Sequence, residues 1–157
     1  MWYRLESKFM ENTEVFIRLG TALVLGMIIG FERIFMKHEA GVRTHGLVSM
    51  GAALFIISSL QASYFLNVEQ HETVRVLGQI VTGIGFLGAG LIFMSEKENK
   101  KKGLTSAATL WATSAIGGAC GFGLLNTAVI ATILTLLTLT FMATFEWTVL
   151  RFFNRSK

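Results

Sequence analysis

Four glycines in Val81 to Phe93, VTGIGFLGAGLIF, stand at Gly83, Gly85, Gly88 and Gly90. On a soluble protein this GxGxxGxG spacing would place backbone N–H groups around a dinucleotide phosphate. That chemistry also needs a strand before the glycines, a helix after them and an acid about 20 residues on. The position there is Gly103, and the neutral window Val76 to Ser95 instead has the length, about 20 residues, that crosses a bilayer as a helix. Other chemistries are also weakly represented. His38, His45 and His71 lack metal-ligand spacing and are expected at the two membrane interfaces. A magnesium site would use carboxylates and waters, and the apolar segments offer few carboxylates, so metal ligands stay unassigned. Cys120 is the single cysteine, which excludes an intramolecular disulfide, and in GGACGFG it reads as a small buried hydrophobe. No Ser-His-acid, Cys-His or phosphate-loop arrangement is present, so no catalytic residue or cofactor is assigned and the chain is not expected to be an enzyme. The hydroxyls of TSAATLWATS and the threonines of the last apolar stretch are expected to bond back to their own helices or across to neighbours.

These residues sit on elements that composition already defines. Of 157 residues, 52% are hydrophobic and 15% charged, with a mean hydropathy of +0.56. A soluble domain carries roughly 25% charged residues. Proline and aspartate are absent, while thirteen Phe accompany sixteen Gly, a mixture suited to helices packed closely in lipid. The expected fold class is all-α, a polytopic membrane helical bundle. Charge runs separate five neutral segments, at about 13 to 31, 46 to 65, 75 to 95, 104 to 122 and 124 to 149. Residues 1–157 therefore read as one transmembrane domain without a soluble C-terminal domain. The first dozen residues, with Trp2 and Tyr3, suit the headgroup region.

Lys and Arg set the expected orientation. The first connection holds Arg33, Lys37 and Arg43, the third holds Lys97, Lys100, Lys101 and Lys102, and the tail holds Arg151, Arg155 and Lys157. The second and fourth hold none, so five spans put every basic segment on one side, with the N-terminus out and the C-terminus in the cytoplasm. The formal charge of +4 follows from this distribution, and no aromatic interleaving or recognised module argues for nucleic acid.

Small residues at spacings of three or four allow helix backbones to approach. Gly26 and Gly30, Gly78, Thr82, Gly85 and Ala89, and Gly117 and Gly121 give the first, third and fourth segments such faces. They are expected to pack these helices together and to leave surface for a homodimer. Alternatively, GIGFLGAG breaks its helix, and freed carbonyls line a polar cavity.

LGMIIGFER (Leu25 to Arg33), AGVRTHGLVSMGAALF (Ala40 to Phe55), VTGIGFLGAGLIF and GLTSAATLWATSAIGGACGFG (Gly103 to Gly123) occur in order, and together they resemble the MgtC/SapB family of bacterial inner-membrane proteins. The resemblance implies a multi-pass plasma-membrane protein of adaptation to low magnesium, acid or intracellular life. It also implies control of membrane potential or restraint of the F-type ATP synthase. The family's inner motif resembles Glu32, Arg33, Gly41, Arg43 and Thr44, and its acid-x-x-Arg approach to the glycine helix resembles Glu72 and Arg75. Thr105 and Ala112 stand where some members have Asn and Cys, so roles of those side chains are not carried over.

Charges beside the apolar segments sort into two layers, because an uncompensated charge at mid-bilayer costs at least about 2.5 kcal/mol. Glu32, Arg33, Arg43 and Glu146 fall at the inner ends; Arg18, Glu69, Glu72 and Arg75 fall toward the outside. Glu146, inside FMATFEWTVL, needs a basic partner such as Arg33 or Arg43 to remain ionised. The layers are read either as snorkelling and structural pairing or as a charge network coupled to an ion or proton. Two function classes follow: a non-enzymatic regulator acting on a membrane-protein partner or on the potential, and a magnesium or other cation transporter or channel. Charges near the ends rather than the middle favour the regulator.

Overall fold

The computed structural model describes the backbone of residues 10–36, 38–66, 71–97 and 103–154, and side-chain environments over 10–36, 38–66, 73–93 and 103–141. Five helices account for nearly all of it: α1 Asn12–Phe35, α2 Val42–Leu66, α3 His71–Lys97, α4 Gly103–Gly121 and α5 Leu125–Asn154. No strand occurs among the described residues. Each helix covers one of the five neutral segments. All but α4, whose start moves out by one residue, run several residues past the apolar window into charged flanks, since a helix need not end where hydrocarbon does. In α1, α2 and the Thr73–Phe93 part of α3, length and apolarity suffice to cross a membrane; Leu125–Phe141 is a shorter apolar stretch.

α4 is the centre of the bundle and packs against each of the other four helices. Eleven of its 19 residues are buried, including Ser106, Thr109, Thr113 and Ser114. Its hydroxyls turn back on the helix, as expected: Thr109 Oγ1 donates to the Thr105 carbonyl at 2.7 Å and Thr113 Oγ1 to that of Thr109 at 2.8 Å. Thr132, Thr135, Thr138 and Thr140 on α5 do the same. Protein thus covers these hydroxyl-bearing positions of α4, and the other helices turn large side chains such as Phe16, Phe55, Phe86 and Phe141 outward, as lipid contact permits.

The backbones meet where glycine leaves out a Cβ. One built on Gly26 would lie 2.5 Å from the His45 carbonyl oxygen, and one on Gly30 would lie 2.6 Å from Val42 Cα. As numbers rise on α1 they fall on α2, so the pair is antiparallel. On α4, a Cβ on Gly117 would strike the backbone of Ser49, and one on Gly121 would lie 2.7 Å from the Ala53 carbonyl oxygen. Both contacts join residues 68 positions apart, as does the His38–Ser106 contact, so α2 and α4 run parallel in one register.

Here the packing differs from expectation. The common partner of the α1 and α4 glycines is α2, through His45, Ser49 and Ala53, rather than α3. On α3 the inward residues are Thr73, Ile84 and Gly88, and Gly88 approaches Ala107 at 3.3 Å, whereas a Cβ on Gly78, Gly83, Gly85 or Gly90 would meet nothing within 4 Å. Spacing identifies a flat stripe but not the direction it faces; α3 docks through the adjacent stripe.

The α4–α5 turn follows from Gly123, whose φ is +80°. Leu124 N–H donates to the Ala119 carbonyl and Gly123 N–H to that of Cys120, each at 2.9 Å. This is the Schellman pattern, in which glycine tolerates the left-handed residue. Arg18 of α1 secures the corner: it donates to the Gly121 carbonyl at 2.7 Å and pairs with Glu14.

Candidate functional site

Of the buried polar side chains, Arg33, His45, Ser49, Ser106 and Thr109 lie toward the end of the bundle where α1 ends and α2 and α4 begin, whereas Ser63, Thr73 and Thr132 lie elsewhere. α1 brings Glu32 and Arg33 there in its last turn, just past the Gly30 contact that draws the start of α2 against it. Arg33 is 2% exposed, and its Nη1 donates to Glu32 Oε2 at 3.3 Å. The pairing of adjacent residues keeps both charges on one element, and the Arg33 side chain stays inside protein.

His45, one turn into α2, is fully buried. Its Nδ1 lies 3.0 Å from the Gly41 carbonyl oxygen, which also accepts the His45 backbone N–H. The Arg33 charge acts on His45 from across the helix pair. Ser49, a turn further, is fully buried between the Gly26 and Gly117 contacts. His38, in the connection, reaches Ser106 of α4 at 3.4 Å. In the common register His45 stands level with Thr113. Three elements therefore contribute to one polar cluster, roofed toward the middle of the bundle by glycine-mediated backbone contacts.

The residues singled out in the sequence divide accordingly. Glu32 and Arg33 come together and are enclosed, whereas Arg43 and Thr44, on the first turn of α2, are exposed. Arg75 is exposed on the first turns of α3. The side chains of Glu72 and Glu146 lie outside the described residues, although α3 and α5 include both positions. Gly88 is buried against α4; Gly83, Gly85 and Gly90 form part of an open face. The sequence places His45 at an interface and does not single out Ser49, whereas both are fully buried in the bundle. Gly41, His45, Ser49 and Ala53 share an i, i+4 stripe, which was the available signal.

Among the described residues, no three His, Cys, Asp or Glu side chains converge on a metal position. An apolar groove of about 430 Å³ separates α2 from α3, with Phe55, Gln79, Gly83 and Ile84 in its walls. Another of about 410 Å³ lies between α3 and α4 beside Trp111 and Gly118. Both are suited to hydrocarbon rather than to acid–base chemistry.

The sequence profile of the MgtC family matches residues 19–147. Protein MgtC of Brucella abortus strain 2308 is 47% identical over 116 residues, covering 73% of this chain and 45% of that protein. Protein MgtC of Salmonella typhimurium strain LT2 is 46% identical over 120 residues, covering 76% and 48%. An uncharacterized protein of Synechocystis is 44% identical over 128 residues, covering 81% and 51%. The chain spans about half the length of these curated relatives. No solved structure matches.

Proposed function

Because the chain belongs to the MgtC family, we propose that this membrane protein is a non-enzymatic, multi-pass regulator of the bacterial inner membrane, serving ion homeostasis under low magnesium, acid or intracellular stress. It acts by contact with another membrane protein, the F-type ATP synthase being the partner that the family resemblance suggests, and through it on the membrane potential. The N-terminus faces outward and the basic connections face the cytoplasm, in line with the Lys and Arg distribution.

The observation that carries this reading is the division of labour among the glycines. Where α1, α2 and α4 meet, Gly26, Gly117 and Gly121 bring the backbones of continuous helices into contact, without the broken helix that lines an ion site in transporters. α3 turns Gly78, Gly83, Gly85 and Gly90 outward, the kind of flat face against which another helix packs in lipid. A second copy of the chain is the partner for part of this face, making a homodimer.

Purified protein in liposomes tests the reading through magnesium, proton and monovalent cation flux. No flux above protein-free vesicles is expected, and a photo-crosslinking residue at Gly85 in cells should capture a second copy or an ATP synthase subunit. Flux without any partner would establish the carrier instead.

A further inference from the structure

The cluster at the start of α2 and α4 has more hydrogen-bonding capacity than its neighbours use. Five of its buried side-chain atoms have no protein partner: Glu32 Oε1, Arg33 Nε, Arg33 Nη2, His45 Nε2 and Ser49 Oγ. Their chemistry identifies what must join them. With Nη1 engaged by Glu32, the edge of the guanidinium that carries Nε–H and Nη2–H is intact, a fork that donates to oxygen. The Gly41 carbonyl can only accept, so His45 Nδ1 carries the proton of that hydrogen bond. In the neutral imidazole Nε2 then presents a lone pair. Glu32 Oε1 also accepts, and Ser49 Oγ can do either. Thr109 and Thr113 have committed their hydroxyl protons to their own helix and can add only acceptors.

An occupant must therefore donate and accept at short range. A bare anion would satisfy Arg33 but confront the Glu32 carboxylate and the His45 lone pair. A metal cation would confront Arg33. Water does both, and a buried water typically makes about three hydrogen bonds to groups of this kind. Leaving such groups without partners carries their desolvation penalty, which is larger where they are charged.

We propose that this end of the bundle binds a cluster of water molecules joining Arg33 and Glu32 of α1 to His45 and Ser49 of α2. The inference stands on these atoms and not on the functional reading above. Among the described residues, the charged and titratable groups at this end are Glu32 and Arg33 on α1, His38 and the exposed Glu39 in the connection, and the exposed Arg43 on α2. α4 and the Leu125–Phe141 part of α5 add no charge. The cluster gives His45 a hydrated contact inside the bundle.

Radiolytic hydroxyl labelling of the full chain in lipid nanodiscs tests this, because radicals generated from a bound water oxidise the side chains beside it whether or not bulk solvent reaches them. The chain contains its own dry control. His45 and Cys120 are each 0% exposed, the thiol is intrinsically the more reactive, and Cys120 lies in an apolar cluster with Ala22, Leu25 and Ile116. The expected result is His45 labelled several-fold above Cys120, with oxygen-18 from freshly mixed labelled water entering the His45 product later than that of Met36, which is exposed just past the end of α1. Protection of His45 equal to that of Cys120 would overturn the proposal, as would uptake as rapid as at Met36, which would mean open access to bulk water. In the Glu32→Leu/Arg33→Met double variant, labelling of His45 should fall several-fold, and unchanged labelling would also overturn it. If that variant does not fold, the wild-type ratio decides.

Discussion

Replacing Gly117 with Ala introduces one methyl group at the tightest point of the bundle. The new Cβ would overlap the Ser49 carbonyl oxygen and lie 2.6 Å from its carbon and 2.7 Å from Cα, where ordinary contact begins near 3.4 Å. Those atoms belong to the middle of α2 and cannot rotate aside, so α4 must withdraw from α2 by roughly 1 Å, the scale on which dispersion contacts are lost. A gap of 0.5–1 Å forfeits about a quarter to a half of each dispersion contact. Overpacking costs of about 1–3 kcal/mol are usual, and backbone overlap places this substitution at the upper end, about 3 kcal/mol. Helix propensity returns up to about 1 kcal/mol for Gly→Ala, leaving a net loss near 2 kcal/mol. Gly85→Ala is the comparison, because its Cβ meets nothing within 4 Å and only the propensity gain remains. The two variants should thus differ by about 3 kcal/mol, or roughly 6–12 °C in unfolding midpoint for a chain of this size. Cys120 provides the assay: as the one cysteine, fully buried on α4, it reacts with a fluorogenic maleimide only when the bundle opens. Equal midpoints for Gly117→Ala and Gly85→Ala in mild detergent would refute the assignment of these glycines.

Arg18→Met removes the hydrogen bond to the Gly121 carbonyl and should cost about 1–2 kcal/mol in the same assay. Gly123→Ala places a side chain at φ +80° and a Cβ 2.8 Å from Arg18 Nη2; its penalty should shrink in an Arg18→Met background, leaving only the backbone part. Arg33→Met leaves the Glu32 carboxylate enclosed without its cation, a loss of about 3–5 kcal/mol for a buried pair. Adding Glu32→Leu should recover most of this, read as abundance and detergent elution. Arg43→Gln, at an exposed position, should preserve abundance while abolishing the stress phenotype; full activity would remove Arg43 from the proposed inner layer. With Cys120 replaced, an impermeant thiol reagent should modify Asn67→Cys but not Asn99→Cys in intact cells, and the reverse pattern would invert the topology.

The five helices were legible because charge runs interrupt the apolar stretches, a signal that depends only on composition. Which helix lies at the centre was less so. α4 is rich in Ser and Thr, and those residues announce burial by protein only once its neighbours are known to shield them. Gly26, Gly30, Gly117 and Gly121 were recognisable as close-packing positions, but their partner was not, because α2 presents a His, a Ser and an Ala rather than a glycine motif. The α3 glycines formed the more conspicuous pattern yet face outward, since periodicity fixes a stripe and not its azimuth. At the candidate site, adjacency made the Glu32–Arg33 pair readable. The burial of His45 was not, because a histidine four residues after the Gly41 carbonyl can satisfy one ring nitrogen within its own helix and so be buried deeply.

The parallel register of α2 and α4 also bears on how the chain is assembled. α1 and α2 are antiparallel neighbours joined by a short connection, so they can pair as soon as both have left the ribosome. The Ser49–Gly117 and Ala53–Gly121 contacts close loops of 68 residues, and α3 must be threaded through before either can form. Non-local contacts of this kind form late, after the entropy of closure has been met. A nascent chain halted before α4 would leave His45 and Ser49 uncovered along one side of the α1–α2 hairpin. Insertion of α4 is then the step that seals them, and its arrival depends on a surface the first two helices have already prepared.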